Sequence, residues 1–254
     1  MSLLLVAGAL AACVSSSTSP GDKVSLQQAS QYNVALGVAY LQQGRRDLAM
    51  QKLQLALKQD PDNASAYMSL GLLYNAIGDT QRADDNFKTA LRKAPNDPQI
   101  ENNYAVFLCQ RGKPRESEQY FLEAAQDPMY PTPEAAYTNA GVCAIKIPDE
   151  AAAGQYFQKA LNVNPDFPEA LYQMASLSYA KKNYQAALGY LQRFDAASPQ
   201  PRAEALLLGV RTERALGNAH DAANYAKKLI QLFPNSTEAQ QLTQSDFNGG
   251  RSGG

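Results

Sequence analysis

The sequence predicts an all-α fold assembled from one helix pair repeated along the chain. Three observations predict it. Amphipathic stretches end in turn at Pro61, Pro95, Pro165, Pro199 and Pro234. The step is 34 residues from Pro61 to Pro95 and from Pro165 to Pro199, 70 between Pro95 and Pro165, and 35 from Pro199 to Pro234. Such a fixed period marks a repeat architecture. Within each period small and large residues recur in one order, with Gly or Ala ahead of a bulky apolar residue. Finally, Ala, Gln, Leu and Tyr are plentiful, Trp is absent, and no run of alternating β-branched residues suggests a strand.

The first repeat, residues 30–63, reads Leu36-Gly37, Tyr40, Gly44, Ala49, Leu53, Ala56 and Pro61, preceded by Asn33. The second, 64–97, is fullest: Tyr67, Leu70-Gly71, Tyr74, Gly78, Ala83, Phe87, Ala90, Pro95. The third, 98–133, places Ala105 and Ser117 at the small positions, then Phe121 and Ala124. The fourth, 134–167, restores Gly141, with Ala153, Phe157 and Ala160. The fifth, 168–201, uses Ala175, Ala187 and Leu191, with a bulky Phe194. The sixth, 202–236, carries Gly209, one extra residue near Gly217, and Ala222. Small residues are needed where two antiparallel helices cross closely, so Gly37 is expected to face Ala49, and Gly71 to face Ala83. The closing proline cannot continue a helix and resets the chain.

This pattern resembles the tetratricopeptide repeat, over residues 30–236 in six copies. The resemblance implies a tetratricopeptide-repeat solenoid, a right-handed superhelix of about six helix pairs whose neighbours supply each other's core. Past Pro234, Asn235-x-x-Glu238 reads as a capped helix start. A capping helix over 237–247 would cover the last repeat, and 248–254 reads as a disordered tail.

Upstream, the apolar run Leu3–Ala12 has about half the ~20 residues that a spanning helix needs, and fits a secretory signal. Leu10-Ala11-Ala12-Cys13 resembles a bacterial lipobox, which implies a signal peptide at 1–12 and lipidation of Cys13. The residue after the cysteine is Val14 rather than Asp, which in lipobox families points to the outer membrane. Residues 13–29 are then the lipidated N-terminus and a linker, Ser/Thr/Gly-rich and flexible from Val14 to about Ser25.

The body offers little chemistry. Net charge is −1 from 23 basic and 24 acidic residues, with no basic stripe for nucleic acid. The single histidine, His220, falls in a turn and supplies no zinc pair. No phosphate loop or nucleophile elbow occurs. The sequence therefore predicts no enzyme, no metal, no cofactor and no small-molecule substrate. Cys109 and Cys143 fall in helices. Burial as two small apolar thiols is expected ahead of a bridge, which requires Cα atoms within about 7 Å.

In the tetratricopeptide family the first helix of each pair lines a concave groove. By register this groove holds Val34, Val38 and Leu41, then Met68 and Leu72, Asn102 and Val106, Val142 and Ile145, Tyr172 and Tyr179, and Leu206 and Val210. A contiguous apolar lining marks a protein partner. Co-chaperones of this family hold a carboxylate with cations at such positions. Val34, Val38, Met68 and Leu72 offer none.

The repeat slips at Leu122–Cys143, where Pro128, Pro131 and Pro133 make an extended joint. Together with the lipobox, the Asn102-Asn103-Tyr104 run, the Gln126-Asp127-x-x-Tyr130-Pro131 joint and Leu206-Leu207-Leu208-Gly209 make the chain similar to the type IV pilus biogenesis lipoproteins of the PilF/PilW pilotin class. The resemblance implies a non-catalytic outer-membrane lipoprotein on the periplasmic face. It would bind the type IV pilus secretin and promote its localisation and multimerisation. A lipid-anchored periplasmic scaffold for cell-wall or exopolysaccharide machinery is the alternative. Peptide or glycan binding has no residue of its own to favour it.

Overall fold

A computed structural model describes residues 20–147, 150–198 and 200–249. Cys13 and the signal segment 1–12 lie outside the described residues. The described chain contains thirteen α-helices and no strand. It divides after Lys93 into two compact units.

The first unit holds α1 (Pro20–Gln42), α2 (Arg46–Gln59), α3 (Ala64–Ala76) and α4 (Thr80–Lys93). α1 pairs with α2 and α3 with α4, while α2 and α1 both pack on α3. α1 begins well before the expected repeat boundary. Its first ten residues, 20–29, lie inside the segment 13–29 expected to be the lipidated N-terminus and flexible linker, and this corrects that boundary. Pro20 opens the helix, where a missing N–H costs nothing, and Asp22 complements the positive end of the helix dipole. The buried Ser30 hydroxyl then ties α1 to the end of α2, donating to the Ala56 carbonyl at 2.8 Å.

The second unit holds α5 (Pro98–Gln110), α6 (Pro114–Gln126), α7 (Pro133–Lys146), α8 (Glu150–Val163), α9 (Pro168–Ala180), α10 (Tyr184–Ala197), α11 (Ala203–Leu216), α12 (Ala219–Leu232) and α13 (Thr237–Gly249). Four antiparallel pairs follow in sequence, and the first helix of each pair also touches the first helix of the next. α13 packs on α11 and α12.

Inside each pair one contact repeats. A Cβ added at Gly71 would lie 2.9 Å from the Phe87 ring, and one at Gly141 2.4 Å from Phe157. At Gly37 it would meet the end of Leu53 at 2.7 Å, and at Gly209 the Tyr225 ring at 2.6 Å. The partner is always sixteen residues on. The glycine therefore seats a large side chain of the second helix; at Gly37 the expected neighbour Ala49 is also present, its carbonyl oxygen 3.5 Å from the added Cβ. Phe87, Phe121 and Phe157, in this place, and Phe194, three positions further on, are all 0–1% exposed.

The turn within each pair recurs as well. Gly44, Gly78 and Gly112 stand 34 residues apart with φ of 72°, 85° and 75°. Repeat five reaches the same backbone with Lys182, φ 59°. At the slipped repeat, α6 ends at Gln126 and α7 starts at Pro133. Tyr130, 5% exposed, anchors the joint against Ala124, Ala125 and Ala136.

Two expectations about this unit are corrected. Cys109 and Cys143 form a disulfide, with Cα atoms 5.9 Å apart, and are not free thiols. They sit 34 residues apart on α5 and α7, so stacking of successive first helices brings them within bridging range. The start of α13 is capped by Ser236, whose hydroxyl accepts from the Ala239 N–H at 3.1 Å, in place of the expected Asn235. The helix runs to Gly249, past the expected end at 247. The remainder of the expected tail, 250–254, lies outside the described residues.

Candidate functional site

In the first unit, Val34, Val38 and Leu41 stand on α1 at helical spacing i, i+4, i+7, and Met68 and Leu72 on α3 at i, i+4. All five are half-buried. Val34 and Leu41 rest on a cluster of Ala49, Leu53, Leu70 and Leu73, which holds them in place from below. Val34 also walls an open depression of about 470 Å³ with Gln31, Ala35, Asp60, Asn63 and Ser65. The depression is framed by fixed polar groups. Asn63 caps α3 by accepting from the Ala66 N–H at 3.0 Å, and its amide donates to the Ser30 hydroxyl at 2.8 Å. No cation lines it, so it suits an apolar segment better than a carboxylate.

In the second unit the predicted positions divide. Tyr172 and Tyr179 line a cleft of about 310 Å³ between α9, α11 and α13. Leu207 and Leu208 contribute apolar lining, and Glu204, Arg211, Glu238 and Gln241 contribute polar groups. Arg202 lies over the Tyr172 ring at 5.3 Å and the Phe194 ring at 4.5 Å. Burial and then the Glu204 carboxylate push the Tyr172 phenol above its ordinary pKa. Val142 and Ile145 are exposed on α7, at 36% and 44%. Val106 is half-buried against the cluster around the disulfide.

Three positions are not available to a partner. Asn102 is 8% exposed, and its side-chain carbonyl accepts from the Asn139 amide at 3.1 Å. It bridges α5 to α7 and faces no groove. Leu206 and Val210 are fully buried with Leu229, Ala239 and Leu242, because α13 lies on them. The register argument treats every first helix alike and so misses a cap that consumes the last position.

Comparison with known proteins places the chain. Tetratricopeptide-repeat profiles match residues 37–78, 70–132, 149–201 and 204–236. The chain is 31% identical over 246 residues to the type IV pilus assembly protein PilF of Pseudomonas aeruginosa, covering 94% of this chain and 96% of that one. It belongs to the PilF/PilW family of type IV pilus biogenesis proteins. The solved structure of PilW, described as a widely conserved type IV pilus biogenesis factor, superposes with a TM-score of 0.75 at 33% identity. It covers 85% of this chain and 99% of that one. The Pseudomonas aeruginosa PilF structure gives a TM-score of 0.75 at 31% identity, over 87% and 99%. Family membership therefore extends over nearly the whole length and not over an isolated repeat.

Within this family member, sequence reasoning missed the polar half of the cleft. Glu204 and Arg211 lie on α11, which stacks on α9 beside Tyr172 and Tyr179, and the docking of α13 adds Glu238 and Gln241. His220 is exposed in the first turn of α12. Among the described residues no group of three or more His, Cys, Asp or Glu side chains could hold a metal ion. No described helix is long and apolar enough to cross a membrane.

Proposed function

We propose that this family member is a pilotin: a non-catalytic, lipid-anchored outer-membrane protein. It binds the type IV pilus secretin and promotes its outer-membrane localisation and multimerisation. The observation that carries the reading is the near full-length relationship to PilF, combined with the half-buried aliphatic face of α1 and α3. Val34, Val38, Leu41, Met68 and Leu72 would grip an apolar segment of the secretin. Lipidation at Cys13 would set the location. Two or more acyl chains hold stably where one does not, at about 0.8 kcal/mol per buried CH₂. The Cys109–Cys143 disulfide supports export independently of the leader, because such bridges persist in oxidising compartments such as the periplasm.

The test uses Cys13→Ala in a strain lacking the native gene, with membrane fractionation and unboiled gels for secretin. The wild type should fractionate with the outer membrane, and the variant should lose secretin multimers or leave them in the inner membrane. Normal multimers in the full deletion would overturn the proposal and favour a periplasmic scaffold for other envelope machinery. Separately, Val38→Glu with Leu72→Glu should abolish secretin pull-down with helicity intact. Unchanged pull-down would remove the α1/α3 face as the contact.

A further inference from the structure

Within each unit, the first helices that follow another pair, α3, α7, α9 and α11, are covered by that pair. On α3 this shows in Ala66, Leu70 and Leu73, which are 0%, 5% and 0% exposed. The covering element is α2, whose Met50, Leu53 and Leu57 share a cluster with Leu70 and Leu73. The matching places in later repeats are closed too, with Ala136, Ala140 and Ala170 at 0%, 3% and 0%. On α1 the equivalent residues, 34 positions before Ala66 and Leu70, are Tyr32 and Leu36. They are 74% and 46% exposed, and Val24, two turns upstream of Tyr32, is 54% exposed. Among the described residues nothing lies over them.

We propose that this outer face of α1 is a docking site for an amphipathic α-helix of a partner protein. That helix takes the place on α1 that α2 takes on α3. The chain's own interior specifies the occupant, because the same interface is built once already between α2 and α3. The expected partner helix carries aliphatic side chains at i, i+3 and i+7, as α2 does with Met50, Leu53 and Leu57. A second copy is the poorer fit. In a second copy the matching stripe of Met50, Leu53 and Leu57 is already packed on its own Leu70 and Leu73. The face is also distinct from the proposed secretin groove. Val34 and Leu41 rest on the interior cluster from another side of α1, while Tyr32 and Leu36 point away from it.

The test is site-specific photocrosslinking in the native host. The full chain carries p-benzoylphenylalanine in place of Tyr32, with the exposed α2 residue Gln54 replaced in the control. Adducts are mapped by mass spectrometry, and the crosslinked segment is synthesised as a peptide. The expected result is a segment of another protein with the i, i+3, i+7 aliphatic stripe. Its peptide should bind wild type about tenfold or more tightly than Tyr32→Glu/Leu36→Glu, and bind Val38→Glu/Leu72→Glu as wild type. Both end-face residues are exposed, so that variant should melt within about 2 °C of wild type. Adducts no stronger than the control, adducts only to another copy, or a crosslinked segment without the stripe would overturn the proposal. So would a peptide sensitive only to the Val38/Leu72 pair, an outcome that leaves the groove reading standing.

Discussion

The seat for a ring in each helix pair can be tested with one methyl group. In Gly141→Ala the new Cβ would lie 2.4 Å from Cε1 and 2.7 Å from Cδ1 of Phe157. Real Cβ atoms do not approach so closely, and Phe157 is fully buried, so its ring has no free space to enter. Overpacking of this kind costs about 1–3 kcal/mol. Alanine offsets about 1 kcal/mol of that through its better helix propensity. The net expectation is a loss of up to about 2 kcal/mol, or up to roughly 8 °C in a chain of this size. Gly189→Ala is the internal control. It too lies in a helix interior, on α10, but its added Cβ meets nothing within 4 Å. It should gain up to about 1 kcal/mol. Repeats three and five carry Ala105 and Ala175 at the same place, opposite Phe121 and Leu191. A pair of helices can therefore be spaced for alanine, and the cost at Gly141 measures how firmly the fourth pair is held. Urea and thermal unfolding followed by circular dichroism report both variants. If Gly141→Ala is as stable as Gly189→Ala, the close crossing does not constrain the pair and the reasoning fails.

Three further outcomes follow from the same geometry. Lys182 holds a left-handed φ of 59°, so Lys182→Gly should raise stability by about 0.5–1 kcal/mol, whereas Gly78→Ala, at φ 85°, should lower it by about 1–2 kcal/mol in the same unfolding assay. Replacing Cys109 and Cys143 by Ser should cost about 2–4 kcal/mol, and dithiothreitol should lower the Tm of wild type but not of the double variant. Glu101 is 6% exposed, and burial, then the Glu123, Asp127 and Asp97 carboxylates, raise its pKa from 4.5 to about 7. The folded chain thus holds this proton more tightly than the unfolded one. Its stabilising contribution is complete below about pH 4.5 and is lost as pH rises through 7. The advantage of Glu101→Gln over wild type should therefore grow between those pH values and then level off. A flat difference in Tm from pH 4 to pH 8 would contradict the assignment.

Much of this molecule is legible in its residues because a repeat states each local rule several times. The spacing of prolines, the turn glycines 44, 78 and 112, and the small residue sixteen positions before a large apolar side chain each recur. Period and register follow from short-range chemistry: which residue can take a left-handed turn, which ends a helix, and which lets two backbones approach. The apolar residues Val34, Val38, Met68 and Leu72 of α1 and α3 can be placed for the same reason, since register alone puts them at i, i+4 spacing on each helix. By itself, then, the sequence determined the helix pairs, their number and the family to which the chain belongs.

What only the tertiary structure decided lies where copies meet or where the series stops. Cys109 and Cys143 look like two separate buried thiols until α5 and α7 stack and bring their Cα atoms to 5.9 Å. Asn102 looks like a groove residue until Asn139 on the next pair takes its carbonyl. Leu206 and Val210 repeat a lining position but lie beneath α13, whose docking also completes the cleft around Tyr172. At the other end, Tyr32 and Leu36 repeat a core position that no pair among the described residues buries. Register assigns each residue the environment of its average copy. Contacts between pairs, and the two ends of the array, depend on what stands next in space.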